Sequence, residues 1–274
     1  MFARTFAALG CLGCAALLLD ADAARAAPSG SAAPVHDARP PAALACLARW
    51  YPVEPLREGN AWRFRLPDGQ TYLFDDGREK SFEEKLASPD LEDTFSIPYR
   101  SGPIRPVEVK DEDPGRIRFD PLFHATYGSS EAQVQAQAVD FDFLGQKLKV
   151  HRKVAPAFER VAKRLQAVLA KEPALKPFLT NLGGTFVWRK IANTDRQSAH
   201  SYGVSIDLNV ARSHYWEWAK PKQPVRWRNR IPQVIVDAFE AEGFIWGGRW
   251  YHYDTMHFEY RPELLDPACR TEKR

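Results

Sequence analysis

This sequence has few cysteines and little net charge, and each of these features argues against a class of protein. Of the four cysteines, only Cys46 and Cys269 lie beyond residue 26, and neither belongs to a CxxC pair, which argues against a cysteine-built zinc site. The formal net charge of +3 is too small to indicate a nucleic-acid-binding surface. The uncharged apolar run 5–19 is shorter than the roughly 20 residues that cross a bilayer, so we expect no membrane span.

The first residues have the order of an export signal. Arg4 supplies a positive start, the apolar run follows, and the residues Ala-Arg-Ala at 24–26 form an A-x-A cleavage site. We therefore predict a signal peptide over residues 1–26 and a periplasmic or extracellular mature protein. The alternative is a lipoprotein with Cys11 or Cys14 as its lipidated residue, which is disfavoured because neither has a leucine three positions before it.

The two remaining cysteines lie near the two ends of the mature chain. Because their number is even and the expected compartment is oxidising, we predict a disulfide between Cys46 and Cys269. Two free, partly buried thiols are the alternative.

Composition divides the part of the chain that precedes residue 139. Residues 27–41 are rich in alanine, proline and serine, which predicts a disordered tether. Apolar residues then alternate from Trp62 onward around the pair Asp-Gly at 68–69, the pattern of a β-hairpin. We predict an accessory region with this hairpin over residues 42–138.

The remainder of the chain mixes helical and strand patterns. From Val154 apolar residues recur at helical spacing, and short apolar strands such as 204–206 follow. Such a mixture predicts the α+β class, with a small central antiparallel sheet and helices packed on it. We assign this domain to residues 139–268.

Two segments of that domain contain the residue types that hold a catalytic zinc ion. His200, Asp207 and His257 supply two imidazoles and a carboxylate, and Asp254 is a further carboxylate three residues before the last histidine. A carboxylate at that spacing can reach a metal-bound water. The two segments are SAHSYGVSID at 198–207 and WGGRWYHYDTMHFE at 246–259.

Together the two segments resemble the zinc peptidases that cut peptidoglycan peptides. The pattern S-x-H-x-x-G-x-S-x-D, followed by W-G-G-x-W and D-x-x-H-F-E, is similar to D-alanyl-D-alanine carboxypeptidases and dipeptidases and to L-alanyl-D-glutamate endopeptidases. The resemblance covers roughly the second half of the chain. It implies that His200, Asp207 and His257 bind one zinc ion and that Asp254 is the general base and later the proton donor.

The resemblance also implies residues that contact the substrate. The family carries an arginine upstream of the first histidine, and Arg189 matches it, with a structural ion pair as the alternative. Ser198 is expected to touch the substrate or to orient its loop. Trp246 and Trp250 are expected to line the cleft, with core packing as the alternative. His252 is expected to be an exposed loop residue, with substrate contact as the alternative.

The predicted function is that of an exported zinc peptidase that hydrolyses an amide bond in peptidoglycan stem peptides. The forms W-G-G-x-W and D-x-x-H-F favour the L-alanyl-D-glutamate endopeptidases, and a D-alanyl-D-alanine carboxypeptidase is the first alternative. The second alternative is an inactive wall-binding protein with the same zinc fold, as in the hedgehog signalling domains. The stem peptides are the only partner predicted.

Overall fold

The computed structural model describes residues 39–219 and 225–270. The predicted signal peptide and residues 27–38 of the predicted tether lie outside the described residues. The α-helices are α1 (Ala42–Trp50), α2 (Phe82–Ala87), α3 (Asp120–Tyr127), α4 (Glu131–Gln137), α5 (Ala155–Lys171), α6 (Gln233–Glu240) and α7 (Pro262–Leu265). Within the described ranges, none of these helices is long and apolar enough to span a membrane.

The strands form three small antiparallel sheets. They are β1 (Glu54–Glu58), β2 (Ala61–Arg65), β3 (Thr71–Leu73), β4 (Ala138–Phe143), β5 (Gln146–His151), β6 (Leu182–Gly184), β7 (Ser205–Asn209), β8 (Phe244–Trp246) and β9 (His257–Tyr260). The first sheet has the order β1-β2-β3, the second is the hairpin β4-β5, and the third has the order β6-β7-β9-β8. The predicted α+β class is confirmed.

Helix α5 forms because its apolar residues recur on one face, and that face packs on the third sheet. Phe158, Val161 and Leu165 of this face are all fully buried. The Phe158 ring lies 4.7 Å from the ring of Phe244 in β8. Helix α6 covers the same sheet, where Phe239 stacks on Phe258 of β9 at 4.1 Å. The helices thus hold the back of the sheet rigid beneath the candidate site.

The region predicted as accessory shares this packing. The described residues, 39–219 and 225–270, belong to one compact unit. The hydroxyl of Tyr51 donates to Glu263 over 2.7 Å, and the hydroxyl of Tyr99 donates to Glu240 over 2.6 Å, both across long stretches of chain. The predicted hairpin is present as β2 and β3. The boundary predicted between residues 138 and 139 falls inside this compact unit, at the start of β4.

Candidate metal centre and cavity

Strand pairing in the third sheet brings Asp207 and His257 together. The two residues are direct partners in the antiparallel register of β7 and β9. Directly opposed residues of an antiparallel pair project from the same face of the sheet. The Nδ1 atom of His257 accordingly lies 3.0 Å from Oδ1 of Asp207.

A short 3-10 helix before β7 adds His200 to this pair. The helix spans Ala199–Tyr202, and the Ser198 hydroxyl accepts the backbone N–H of His200 at its start. Gly203 ends it with φ of +64°, and a Cβ at that glycine would lie 2.8 Å from the backbone nitrogen of His151. The glycine therefore permits the close approach that sets His200 Nε2 3.2 Å from Asp207 Oδ1.

Hydrogen bonds orient both imidazoles toward Asp207. Nδ1 of His200 lies 2.6 Å from the carbonyl oxygen of Thr185, and since a carbonyl only accepts, Nδ1 carries the hydrogen. The lone pair on His200 Nε2 then faces the cluster, and this buried atom has no hydrogen-bond partner in the described residues. Nε2 of His257 lies 3.4 Å from Glu259, a second outer acceptor. Such acceptors fix the tautomer and orientation of metal-binding histidines.

The three side chains fit a zinc ion. One ligand atom from each of His200, Asp207 and His257 lies within 4.8 Å of the others. Two neutral imidazoles and a carboxylate, with a fourth position left open, are the donor set of catalytic zinc sites. The unpartnered nitrogen of His200 is the atom that such an ion would satisfy.

The charged groups of the cluster shift one another's pKa values. Burial would raise the pKa of Asp207, but the charges of His200 and His257 and the hydrogen bond to His257 outweigh it and hold that pKa well below its usual range. Burial lowers the pKa of His257, yet hydrogen bonds to Asp207 and Glu259 raise it to about 10. A cation bound by these residues would compete with protons for the same nitrogens and oxygens.

Asp254 reaches the same space from the turn before β9. Its backbone N–H donates to the carbonyl of Gly247 over 3.0 Å, and its own carbonyl accepts from His257 N–H over 3.2 Å. The Oδ1 atom is buried without a hydrogen-bond partner in the part of the chain that the structure describes. Burial, reinforced by the charge of Asp207, raises the pKa of Asp254 to about 7. A carboxylate that titrates near neutrality is suited to accept and return a proton.

A cavity of about 310 Å³ lies over these residues, and most of the predicted substrate contacts border it. Ser198, Arg189 and Trp250 all line the cavity. The Trp250 indole is held in place by donating to the carbonyl of Pro114 over 2.7 Å. Arg189 is exposed, and its guanidinium donates to the Lys190 carbonyl over 3.4 Å.

The structure does not bring Trp246 to this cavity. Its indole is fully buried, donates to the carbonyl of Thr255 over 2.9 Å and stacks on Phe258. Successive side chains along β8 point to opposite faces of the sheet, and the side chain of Trp246 is on the face that the helices cover. The core-packing alternative describes Trp246, whereas Trp250, four residues later, borders the cavity.

Sequence reasoning missed the contribution of residues 113–118 to the cavity wall. Asp113 is completely buried and accepts the backbone N–H of His252 over 2.9 Å, while its other oxygen lies 2.6 Å from Nδ1 of the same histidine. His252 is thereby fixed against the cavity and is not an exposed loop residue. These contacts join residues that are 139 positions apart, and no local pattern signals them.

One family model matches the chain, over residues 192–260, and its description is D-alanyl-D-alanine carboxypeptidase. No solved structure matches the chain. The matched segment contains both motifs, with His200, Asp207, Asp254 and His257, and begins three residues after Arg189. Over residues 192–260, the comparison confirms the peptidase family predicted from the two motifs.

Proposed function

We propose that the protein is an exported zinc peptidase that hydrolyses an amide bond in peptidoglycan stem peptides. One observation carries the proposal: the ligand atoms of His200, Asp207 and His257 converge within 4.8 Å beside Asp254, whose Oδ1 has no hydrogen-bond partner in the described residues. All four residues lie in the segment that matches the peptidase family. Their chemistry is that of metal-assisted hydrolysis.

His200, Asp207 and His257 would hold the zinc ion through Nε2, Oδ1 and Nδ1. When bound, zinc supplies Lewis acidity that acidifies a water molecule and polarises the substrate carbonyl. Thr185 and Glu259 keep the two imidazoles in the tautomers that leave those nitrogens free. The protein's contribution at this stage is a preorganised set of donors in a largely buried site.

Asp254 would act as the general base and then as the general acid. In amide hydrolysis, the attacking water loses one proton and the leaving nitrogen gains one. The free Oδ1 of Asp254 accepts the first proton and returns it to the amine, so that the carboxylate is regenerated after each turnover. Burial raises the pKa of this carboxyl above its usual range, which makes the carboxylate a stronger base for the first transfer.

The cavity wall would position the peptide. The Arg189 guanidinium extends from the loop before the 3-10 helix and is available to hold the scissile carbonyl oxygen or a substrate carboxylate. Ser198 keeps the His200 segment in place, and Trp250 supplies an apolar surface beside the His257 ring at 5.7 Å.

Two bonds remain candidates for cleavage. The aspartate at position 254 and the W-G-G-x-W segment favour the L-alanyl-D-glutamate bond, as in the endopeptidases that the motifs resemble. The description of the matched family favours the D-alanyl-D-alanine bond. An inactive binder is disfavoured, because such a protein has no need for a buried carboxylate oxygen, Asp254 Oδ1, that lacks a hydrogen-bond partner in the described residues.

Mass spectrometry of muropeptides tests the proposal. Zinc-loaded protein, produced without residues 1–26, is incubated with muropeptides, and new fragments identify the cleaved bond. We expect cleavage that a chelator abolishes and that zinc restores. Intact muropeptides after incubation with protein that carries one zinc ion per chain would contradict the proposal.

A further inference from the structure

Four arginines line the cavity. The charge of three of them is paired with a carboxylate or screened by water. They are Arg116, Arg118, Arg189 and Arg196. Arg118 is buried, donates from Nε to Asp120 over 2.7 Å and lies over the ring of Phe123. Its charge is neutralised and its stem is packed, so that its role is to hold the wall together.

Arg116 and Arg189 are also satisfied, for different reasons. Arg116 donates to the buried carboxylate of Asp113 over 2.7 Å. Arg189 is exposed, where water screens its charge. Neither guanidinium requires a further counter-ion.

Arg196 is the exception. Its side chain is partly buried, and its guanidinium donates to the backbone carbonyl of Arg116. In residues 39–219 and 225–270 no carboxylate lies within ion-pair distance of it, and the intervening residues 220–224 include no aspartate or glutamate. Burial, together with the charges of Arg118 and Arg116, lowers the pKa of Arg196 to about 10 although the more distant carboxylates of Asp120 and Glu259 oppose it, and the guanidinium stays charged at neutral pH.

A partly desolvated guanidinium beside two other cations is costly unless an anion joins it. Carboxylates are its strongest partners, because two parallel N–H groups match the two carboxylate oxygens. The position of Arg196 on the cavity wall means that a ligand in the cavity is able to supply that anion.

We infer that Arg196 binds a carboxylate of the substrate, on the carbon that bears the leaving nitrogen. The inference rests on the proposed function and deepens it. Both candidate bonds place a carboxylate there: the α-carboxylate of D-glutamate after L-alanine, and the terminal carboxylate of the last D-alanine. The cavity thus selects peptides that are anionic on the leaving side of the cut.

Matched peptides separate the two sources of the carboxylate. One pair has the L-alanyl-D-glutamate bond with the α-carboxylate free or converted to the amide; the other pair ends in D-alanyl-D-alanine with its terminus free or amidated. Each peptide is hydrolysed by the wild-type protein, by Arg196→Gln and by Arg105→Gln, a control that removes an exposed guanidinium outside the cavity.

For the bond that the wild type cleaves, we expect kcat/KM to be higher on the free carboxylate than on the amide. Arg196→Gln should lose about 10- to 100-fold on the carboxylate peptide and little on the amide, since a hydrogen-bonded charge pair is lost. Arg105→Gln should match the wild type. A variant at position 196 that keeps the wild-type preference, or that loses equally on both peptides, would overturn the inference.

Two further measurements keep the outcomes distinct. If the wild type hydrolyses none of the peptides, the proposed function has failed, and calorimetric binding of the same peptides decides the inference. A preference for the carboxylate form that disappears in Arg196→Gln supports it, and equal affinities overturn it. If Arg196→Gln does not fold, Arg196→Met, which keeps the apolar stem, replaces it with the same expected results.

Discussion

Two carboxylates in one cavity have opposite electrostatic environments. Asp207 lies between two imidazoles that hold its pKa well below the usual range, whereas burial and the neighbouring charge of Asp207 raise the pKa of Asp254 to about 7. A carboxylate that stays ionised is suited to bind a cation, and one that titrates near neutrality is suited to move a proton. This contrast supports the separate roles proposed for them.

Replacing Asp254 by asparagine tests the division of roles. Asp254→Asn keeps the shape of the side chain but removes its basicity, so we expect hydrolysis to fall by about 10²- to 10⁴-fold. Zinc content should stay near one ion per chain, because three ligands remain. Peptide hydrolysis and elemental analysis of the same preparation are the two measurements.

The matched control is the double variant His200→Ala and His257→Ala, which should lose its zinc, alongside His214→Ala, which should retain it because His214 lies outside the cluster. Loss of zinc in Asp254→Asn would make Asp254 a ligand. Retention of zinc together with near-normal hydrolysis would move the base elsewhere, and Glu259 would be the next residue to change.

His151 makes the stability of the fold sensitive to acid. It is buried at the end of β5, its Nε2 has no hydrogen-bond partner in the described ranges, and burial, aided by Lys153, lowers its pKa to about 4. A depressed histidine pKa leaves stability intact above the unfolded value of about 6.5 and removes it as the pH falls toward 4. Each pKa unit corresponds to about 1.4 kcal/mol, so the loss is roughly 2–3 kcal/mol.

Urea unfolding at a series of pH values measures this loss. Between pH 6.5 and 4 we expect the free energy of unfolding of His151→Gln to fall less steeply than that of the wild type, because glutamine does not titrate. His124→Gln is a useful comparison, since burial also lowers the pKa of His124. Parallel curves for the wild type and His151→Gln would show that His151 contributes nothing to acid sensitivity.

At the scale of elements, the site depends on how closely the 3-10 helix approaches β5. The backbone N–H of His151 donates to the carbonyl of Gly203 over 2.9 Å, which leaves no room for a side chain at position 203. Strand pairing positions Asp207 and His257, but this contact between a loop and a strand positions His200. Of the three proposed ligands, His200 is therefore the one whose position depends most on this packing contact.

Gly203→Ala should therefore disturb both stability and zinc binding. The new Cβ would lie 2.8 Å from the His151 nitrogen, and alanine is disfavoured at φ of +64°. We expect a loss of about 1–3 kcal/mol in unfolding free energy and weaker zinc affinity. Thermal unfolding and a competitive zinc titration are the measurements.

Gly145→Ala is the control for backbone strain. Gly145 also has a positive φ, of +86°, but a Cβ there would meet nothing within 4 Å. It should cost only the strain of the backbone, with zinc affinity unchanged. Equal effects of the two substitutions would mean that the close approach at Gly203 does not set the position of His200.

At the scale of the whole molecule, the two ends of the described chain are fastened to each other. The structure pairs Cys46 of α1 with Cys269, across 223 residues of sequence, with the Cα atoms 5.0 Å apart. Close by, Tyr51 donates to Glu263, which also accepts from the buried Arg261 over 2.6 Å. Arg261 donates in turn to the carbonyl of Gly115, next to the residues that line the cavity. The N-terminal region is therefore continuous with the part of the fold that carries the candidate metal site.

Reduction of the disulfide should destabilise the protein. A bridge that closes so long a loop restricts the unfolded chain, and its removal typically costs about 2–5 kcal/mol. We expect a reductant to lower the Tm of the wild type but not that of the double variant Cys46→Ser and Cys269→Ser. Two labelled thiols per chain in denatured, unreduced protein from the periplasm would refute the bridge.

Local sequence was sufficient for the features that depend on spacing. The resemblance to the peptidase family over residues 192–260 follows from two short segments, and the α+β class follows from the helical stripe of α5 and the short strands around it. The convergence of His200, Asp207 and His257 was predictable because ligand residues on neighbouring strands and their flanking loops can reach one point. The acceptors of the two imidazoles were not predictable, since Thr185 belongs to a loop with no motif of its own.

The sequence by itself determined the resemblance of residues 192–260 to the peptidase family, the α+β class and the four residues proposed for the chemistry, because short-range order and residue type carry that information. Only the tertiary structure decided that Trp246 lies in the core, that Asp113 holds His252, and that Arg196 faces the cavity without a carboxylate partner. The physical reason is distance along the chain. The burial of a side chain and the charges around it depend on residues that come together only after folding, so no local sequence pattern predicts them.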